Sequence, residues 1–107
     1  MQAFDVLCDP VRRRILEIIA ERDHASGEIV AILSSEFGIT QSAVSQHLKV
    51  LRDSGFANVT VEGTRRLYAL DTSSLIEVDR WLARFRQIWE PKLEALATEI
   101  ARGKRDR

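Results

Sequence analysis

The stretch that decides the fold is residues 40–51, which read TQSAVSQHLKVL. On a helix that turns about 100° per residue, its apolar residues fall within one narrow arc, which predicts that this arc faces a core. These apolar residues are Val44, Leu48 and Leu51. The polar residues of the opposite arc are Ser42, Ser45, Gln46 and Lys49. Thr40 is suited to cap the helix and Gly55 to end it, so we predict an amphipathic helix over residues 40–55.

A shorter helix and a turn precede this stretch. Ser26 is predicted to cap the shorter helix, and Gly38 is predicted to end it just before Ile39. The apolar residues expected to face inward are Ile29, Ile32, Leu33 and Phe37. A short helix, a turn that contains glycine and a longer helix form the helix-turn-helix pattern, whose second helix enters the major groove of DNA.

The periodicity changes after the longer helix. Val59 and Val61 alternate with polar residues, which predicts a strand, and Gly63 with Thr64 predicts the turn that follows it. We therefore expect a hairpin over residues 57–70, in the position of a wing beside the recognition helix. Upstream, residues 2–8 are predicted to form a short helix, after which Asp9 caps a second helix with Pro10 at its first position.

A last helix is predicted over residues 74–102, where Ser74 and Glu77 form a capping box. Pro91 falls inside it and is expected to bend the helix or to break its hydrogen bonding locally. Apolar residues recur along it at steps of three and four. We predict that this seam pairs two copies across a twofold axis, because so small a chain has little else to cover it. The predicted dimer contacts are Leu82, Phe85, Trp89, Leu93 and Leu96. The alternative is that the helix folds back on its own domain.

Composition favours one folded domain over residues 1–107, with 45% hydrophobic and 30% charged residues and no run of about 18 apolar residues that would span a membrane. The expected fold is mainly α with a small β-hairpin. The first residues lack the features of a signal peptide, and a single cysteine excludes an internal disulfide, so the expected location is the cytoplasm. The formal net charge is +0, but the segment from Thr40 to Leu70 is net basic, which allows local contact with phosphates.

The polar arc of the longer helix is predicted to bind double-stranded DNA, with Gln41 and Ser42 entering the major groove first. The predicted DNA-binding residues are Gln41, Ser42, Ser45, Gln46, Lys49, Arg65 and Arg66. The two arginines are expected to contact phosphates or the minor groove. The alternatives are an ordinary solvated helix face and a charged strand edge that prevents aggregation.

No spacing of residues supports an enzyme, a metal site or a cofactor. The two histidines lie apart: His24 falls in a predicted loop, whereas His47 flanks the buried arc of the longer helix. Cys8 is expected to pack among apolar neighbours as an inert thiol, with redox sensing as the alternative. We therefore expect no metal ligand and no catalytic group.

The chain resembles the ArsR/SmtB family of bacterial repressors over nearly its whole length. The motifs that carry the resemblance are DPVRRRIL at residues 9–16, TQSAVSQHLKVL at residues 40–51 and EGTRRLY at residues 62–68. The resemblance implies a dimeric repressor at an operator with inverted-repeat symmetry. It also implies that Gln41, Ser42, Ser45 and Gln46 occupy the positions that contact bases.

The sequence departs from the metal-sensing members of that family. The third helix has no cysteine pair within residues 27–32, and no histidine follows Asp79 in the last helix. The chain is therefore most similar to metal-free members with a tryptophan-rich last helix. The alternatives are a winged helix that binds protein rather than DNA, and a repressor released by an unidentified small molecule or thiol signal.

Overall fold

The computed structural model describes residues 2–105, which form five helices and three strands. The elements in chain order are α1 (Ala3–Leu7), α2 (Pro10–Glu21), β1 (His24–Ala25), α3 (Ser26–Phe37), α4 (Gln41–Asp53), β2 (Ala57–Glu62), β3 (Arg65–Leu70) and α5 (Ser73–Arg105). The chain divides into two compact units, of which the first ends at Glu77 and the second begins at Val78. The sequence-based expectation of a mainly helical chain with a winged helix-turn-helix is confirmed.

The core of the first unit comes from the apolar faces of α1 to α4 and from the sheet. The fully buried side chains with the largest volumes are Phe56, Ile15, Ile29, Leu33, Leu48, Leu51, Val6 and Val44. The predicted inward arc of α4 is confirmed, because Val44, Leu48 and Leu51 are at most 2% exposed. Burial of this arc fixes which face of α4 remains in contact with water.

Local hydrogen bonds explain where the helices begin. The carboxylate of Asp9 accepts from the backbone N–H of Val11 at 2.8 Å, and Pro10 occupies the first position of α2, as predicted. Partial burial opposes ionisation of Asp9, but the N–H groups of Arg12 and Val11 outweigh it and lower the pKa of this carboxyl. The hydroxyl of Thr40 accepts from the N–H of Ala43 at 3.1 Å and caps α4.

The turn between α3 and α4 depends on Gly38, which has a φ of 67°. This left-handed conformation suits glycine, and the N–H of Gly38 donates to the carbonyl of Ser34 to end α3. The hydroxyl of Ser34 also donates to the carbonyl of Ile39 at 3.1 Å, which holds the turn against the helix. The predicted stop at Gly38 is therefore confirmed.

The sheet has one strand more than the predicted hairpin. β3 lies in the middle, in the order β1-β3-β2, and both of its pairings are antiparallel. His24 was expected in a loop, but it pairs with Tyr68 and is buried, with its Nδ1 2.8 Å from the carbonyl of Arg22. A two-residue strand offers no alternation of apolar and polar residues, so periodicity could not identify it.

Two predicted helix caps were wrong. Ser26 is the first residue of α3 rather than its cap, and the carboxylate of Glu28 accepts from the N–H of Ala25 at 3.1 Å. Ser74 lies inside α5 and donates its hydroxyl to the carbonyl of Ser54 at 2.7 Å, so it forms no capping box with Glu77. Both serines sit next to the true start of a helix, where sequence signals shift by one or two residues.

Two further expectations differ from the structure, and one agrees with it. Phe37, predicted to face inward, is 41% exposed because it is the last residue of α3. Cys8, predicted to pack among apolar neighbours, is exposed just after the short helix α1. Helix α5 runs from Ser73 to Arg105 with Pro91 inside it, as the sequence predicted.

Candidate nucleic-acid interface

The exposed face of α4 carries the five helix residues predicted to bind DNA. Each of them is exposed, and they are Gln41, Ser42, Ser45, Gln46 and Lys49. The opposite face of the same helix is sealed into the core, so α4 cannot rotate to present another surface. The structure thus brings amide, hydroxyl and ammonium groups together on one fixed surface, which is the chemistry that reads base edges and phosphates.

A shallow groove of about 260 Å³ lies between α4 and β3. The residues that line it are Ser26, Ser45, Leu48, Lys49, Arg52, Arg66 and Tyr68. It therefore joins two of the predicted helix residues, Ser45 and Lys49, to one of the two predicted wing arginines. Arg52, Tyr68 and Ser26 were absent from the prediction. The helical spacing of Arg52, three residues after Lys49 and seven after Ser45, could have indicated it.

Arg65 and Arg66 lie on opposite faces of the wing, since successive residues of a strand alternate. Arg66 lines the groove, whereas a guanidinium nitrogen of Arg65 lies 3.5 Å from the carboxylate of Glu28. The same carboxylate accepts from Ala25 and from Arg22. These hydrogen bonds hold the pKa of Glu28 below its ordinary value. The sequence predicted one role for both arginines, and the structure gives them different neighbours.

The residues predicted to form the dimer contact lie along α5. Leu82 is partly buried, whereas Phe85, Trp89, Leu93 and Leu96 are 37–60% exposed. The rings of Trp81 and Phe85 lie 4.8 Å apart between centroids, so aromatic side chains cluster on this stretch. An apolar hollow of about 250 Å³ is lined by Trp81, Leu82, Phe85, Ile88 and Trp89. α5 therefore presents a continuous apolar surface to its surroundings.

In the part of the chain from residue 2 to residue 105, no three His, Cys, Asp or Glu side chains come together to hold a metal ion. Within those same residues, no helix has the length and apolar character that a membrane span requires.

Comparisons with known proteins agree with this geometry. The profile of the family described as "Bacterial regulatory protein, arsR family" matches residues 9–59, which run from the cap of α2 into β2. The HTH-type transcriptional regulator Rv2034 of Mycobacterium tuberculosis strain H37Rv is 38% identical over 84 residues, which cover 78% of this chain and 75% of the relative. The transcriptional repressor SdpR of Bacillus subtilis strain 168 is 28% identical over 82 residues, which cover 77% of this chain and 87% of the relative.

A second mycobacterial protein supplies a solved structure for comparison. The uncharacterised HTH-type transcriptional regulator Rv0081 is 37% identical over 75 residues, which cover 70% of this chain and 63% of the relative. The chain thus spans less than two thirds of that relative's length. The crystal structure of M. tuberculosis Rv0081 superposes with a TM-score of 0.60 at 34% identity and covers 89% of each chain. The family profile, the identity to Rv2034 and the shared winged helix-turn-helix place this chain in the ArsR family of bacterial regulatory proteins.

Proposed function

We propose that the protein is a sequence-specific DNA-binding transcriptional repressor that acts as a homodimer on an inverted-repeat operator. The observation that carries this proposal is the fixed polar face of α4 beside a groove lined by Lys49, Arg52 and Arg66. In this role α4 enters the major groove, and its amide and hydroxyl groups bond to base edges. The wing lies beside α4 and contacts the sugar-phosphate backbone of the DNA.

The exposed apolar surface of α5 supports the homodimer. Soluble monomers rarely leave a contiguous apolar surface of this kind in water, and a second copy of the same helix offers a self-complementary partner. A twofold dimer presents two copies of α4, which matches an inverted repeat with half-sites about one helical turn apart. The name of the relative SdpR, a transcriptional repressor, supports repression as the direction of regulation.

DNase footprinting on the DNA upstream of the gene, followed by binding titrations, tests the proposal. We expect one protected palindrome. Gln46→Ala should weaken binding to the palindrome by about 1–3 kcal/mol and relax the base preference at one position of each half-site. Gln87→Ala makes the same chemical change at an exposed position of α5 and is the matched control. The proposal fails if no palindrome is protected, and base reading by Gln46 fails if its variant keeps the wild-type preference.

We also propose that repression does not depend on a metal ion. Tight zinc sites need several Cys, His or carboxylate ligands in one geometry, and residues 27–32 of α3 contain no thiol. A competition titration of the purified, untagged protein with a zinc chelator should therefore show no stoichiometric tight uptake. A zinc site of sub-micromolar affinity would contradict this part of the proposal.

A further inference from the structure

Most cationic side chains of residues 2–77 already have partners within the chain. Arg12 and Arg13 donate to backbone carbonyls at the end of α1, at distances of 2.7–3.1 Å. Further arginines form ion pairs, which are Arg14 with Glu17 and Glu36, Arg22 with Glu28, Arg65 with Glu28 and Arg52 with Asp53. These arginines are therefore neutralised or hydrogen-bonded without any ligand.

Lys49 and Arg66 are different. Within residues 2–105, neither side chain makes a hydrogen bond or an ion pair. Both of them line the groove between α4 and β3. Two cations without anionic partners thus face one concave site, although they lie on different elements of the fold.

Tyr68 adds an independent observation at the same site. The residue is only 5% exposed, it lines the groove, and its hydroxyl has no hydrogen-bond partner in the described chain. No polar side-chain atom of the described residues is both sealed from solvent and without a partner. The hydroxyl of Tyr68 therefore retains an opening to solvent, and Tyr68 is one of the residues that line the groove. A buried tyrosine normally finds a hydrogen-bond partner, so this free donor indicates an external acceptor.

Two serines that line the groove offer further hydrogen-bond donors. The hydroxyls of Ser26 and Ser45 make no hydrogen bond in the described part of the structure. Arg52 also lines the groove, although its guanidinium is already paired with Asp53. Ser26 is also the first residue of α3, and Ala25 before it offers no side-chain cap to the N–H groups of the first turn. Partial positive charge at that helix end favours an anion. Glu28 in the same turn is engaged by Arg22 and Ala25.

We propose that this groove is a phosphoryl-binding site, which takes a tetrahedral phosphate group between Lys49, Arg66 and the hydroxyl of Tyr68. A phosphate has several acceptor oxygens, which match the convergent donors better than the two oxygens of a carboxylate. The volume of about 260 Å³ is several times the roughly 30 Å³ of one water, so a phosphate fits with part of its hydration. The phosphate can belong to the DNA backbone or to a free phosphorylated molecule. The inference rests on the proposed function only where DNA is its source.

A titration of the full-length protein with sodium phosphate, followed by amide NMR, tests the site. Sodium chloride at matched ionic strength is the reference. We expect phosphate, and not chloride, to shift the amide signals of Ser26, Ser45 and Arg66 along a saturating curve. Tyr68→Phe keeps the buried ring and should weaken phosphate binding by about tenfold, the effect of one hydrogen bond to a charged group. Arg66→Gln should abolish the saturating shift of the amide signals with phosphate.

Arg80→Gln is the matched control for the loss of one positive charge, because Arg80 is an exposed α5 residue outside the groove, and it should bind phosphate as the wild type does. Equal shifts in phosphate and chloride, or unchanged phosphate binding in Arg66→Gln, would overturn the site. Adding a duplex that contains the footprinted palindrome identifies the source. If the duplex removes the phosphate response, a backbone phosphate occupies the groove. If the response persists on DNA, the site serves a free phosphorylated ligand.

The two proposals fail in different ways. A protected palindrome without saturable phosphate binding would overturn the site and leave the proposed function intact. If phosphate binding saturates and Arg66→Gln abolishes it, the site is supported. If footprinting of the same protein protects no palindrome, the proposed function is overturned while the site stands.

Discussion

Residues 2–77 and the part of α5 after Val78 show the same apolar periodicity but opposite burial. In the first region, the residues with helical spacing pack into one core, where Ile15, Ile29 and Leu33 are 0% exposed. In the second region, Phe85, Leu93 and Leu96 are 38–60% exposed. Periodicity therefore identifies which face of a helix is apolar, whereas the partner that covers this face must be found separately. The apolar residues of the first region cover one another, whereas these residues of α5 remain exposed.

The largest effect is expected from placing charges on the apolar surface of α5. The double variant Phe85→Glu and Trp89→Glu should convert the dimer to a monomer, because paired helices cannot bury carboxylates without partners. Binding to the palindrome should fall by about 10²-fold or more, since two linked half-sites are replaced by one. Sedimentation velocity and gel-shift titrations measure the two losses.

Gln87→Glu on the same helix is the matched control, because Gln87 is exposed and lies off the apolar seam. It should leave both the dimer and DNA binding intact. A well-folded wild-type monomer at micromolar concentration would contradict the proposal that a second copy of the chain covers the apolar surface of α5. In that case α5 would have to be covered by its own chain.

Truncating one leucine in each region should affect folding stability in the first region and dimerisation in the second. Leu33→Ala should lower the free energy of unfolding by about 2–5 kcal/mol, because it leaves a cavity in a sealed core. Leu96→Ala should act on the monomer–dimer equilibrium instead and raise the dissociation constant by about tenfold or more. Urea denaturation and sedimentation at several protein concentrations separate these effects. The difference between the two regions is refuted if Leu96→Ala lowers the free energy of unfolding as much as Leu33→Ala does and leaves the dimer dissociation constant unchanged.

A smaller effect is expected from the wing, and it should leave the dimer untouched. Arg66→Ala should weaken binding to all DNA sequences and reduce the slope of log affinity against log salt by about one unit. Arg65→Ala should reduce the slope by less, because Arg65 already lies 3.5 Å from the carboxylate of Glu28. Binding isotherms at four salt concentrations give both slopes. Unchanged slopes in both variants would show that these arginines are solvated side chains that do not contact DNA.

The smallest effect concerns pH and belongs to residues 2–77. The pKa of Glu28 is lowered in the folded chain, so its contribution to stability is present above the ordinary pKa and is lost as the pH falls through the folded value. As the pH falls from neutral to about pH 3, the free energy of unfolding of the Glu28→Gln variant should therefore decrease less than that of the wild type. Thermal unfolding across this range tests the difference. Glu94→Gln, at an exposed α5 position, should follow the wild-type profile, and identical profiles for all three proteins would refute the role of Glu28.

The sequence predicted the helix-turn-helix because its signals are local. Gly38 and Gly55 adopt the left-handed φ expected of helix stops, and the buried arc of α4 follows from spacing alone. The strand at His24 was missed because its partner Tyr68 lies far along the chain, and the groove was missed because it joins residues of α3, α4 and β3. Periodicity within one element does not connect such residues. Ser74 was misread as a cap because its true partner, the carbonyl of Ser54, lies 20 positions earlier in the chain.

The contact of Ser74 with the end of α4 constrains how this sequence can vary. The hydroxyl of Ser74 lies 2.8 Å from the point that a Cβ atom at position 55 would occupy, and Gly55 has a φ of 78°. A side chain at position 55 would collide with Ser74 and would also strain the backbone. Removing the hydroxyl at position 74 relieves only the first of these two problems. In an alignment of related chains we therefore expect position 55 to remain glycine even in chains that carry alanine at position 74.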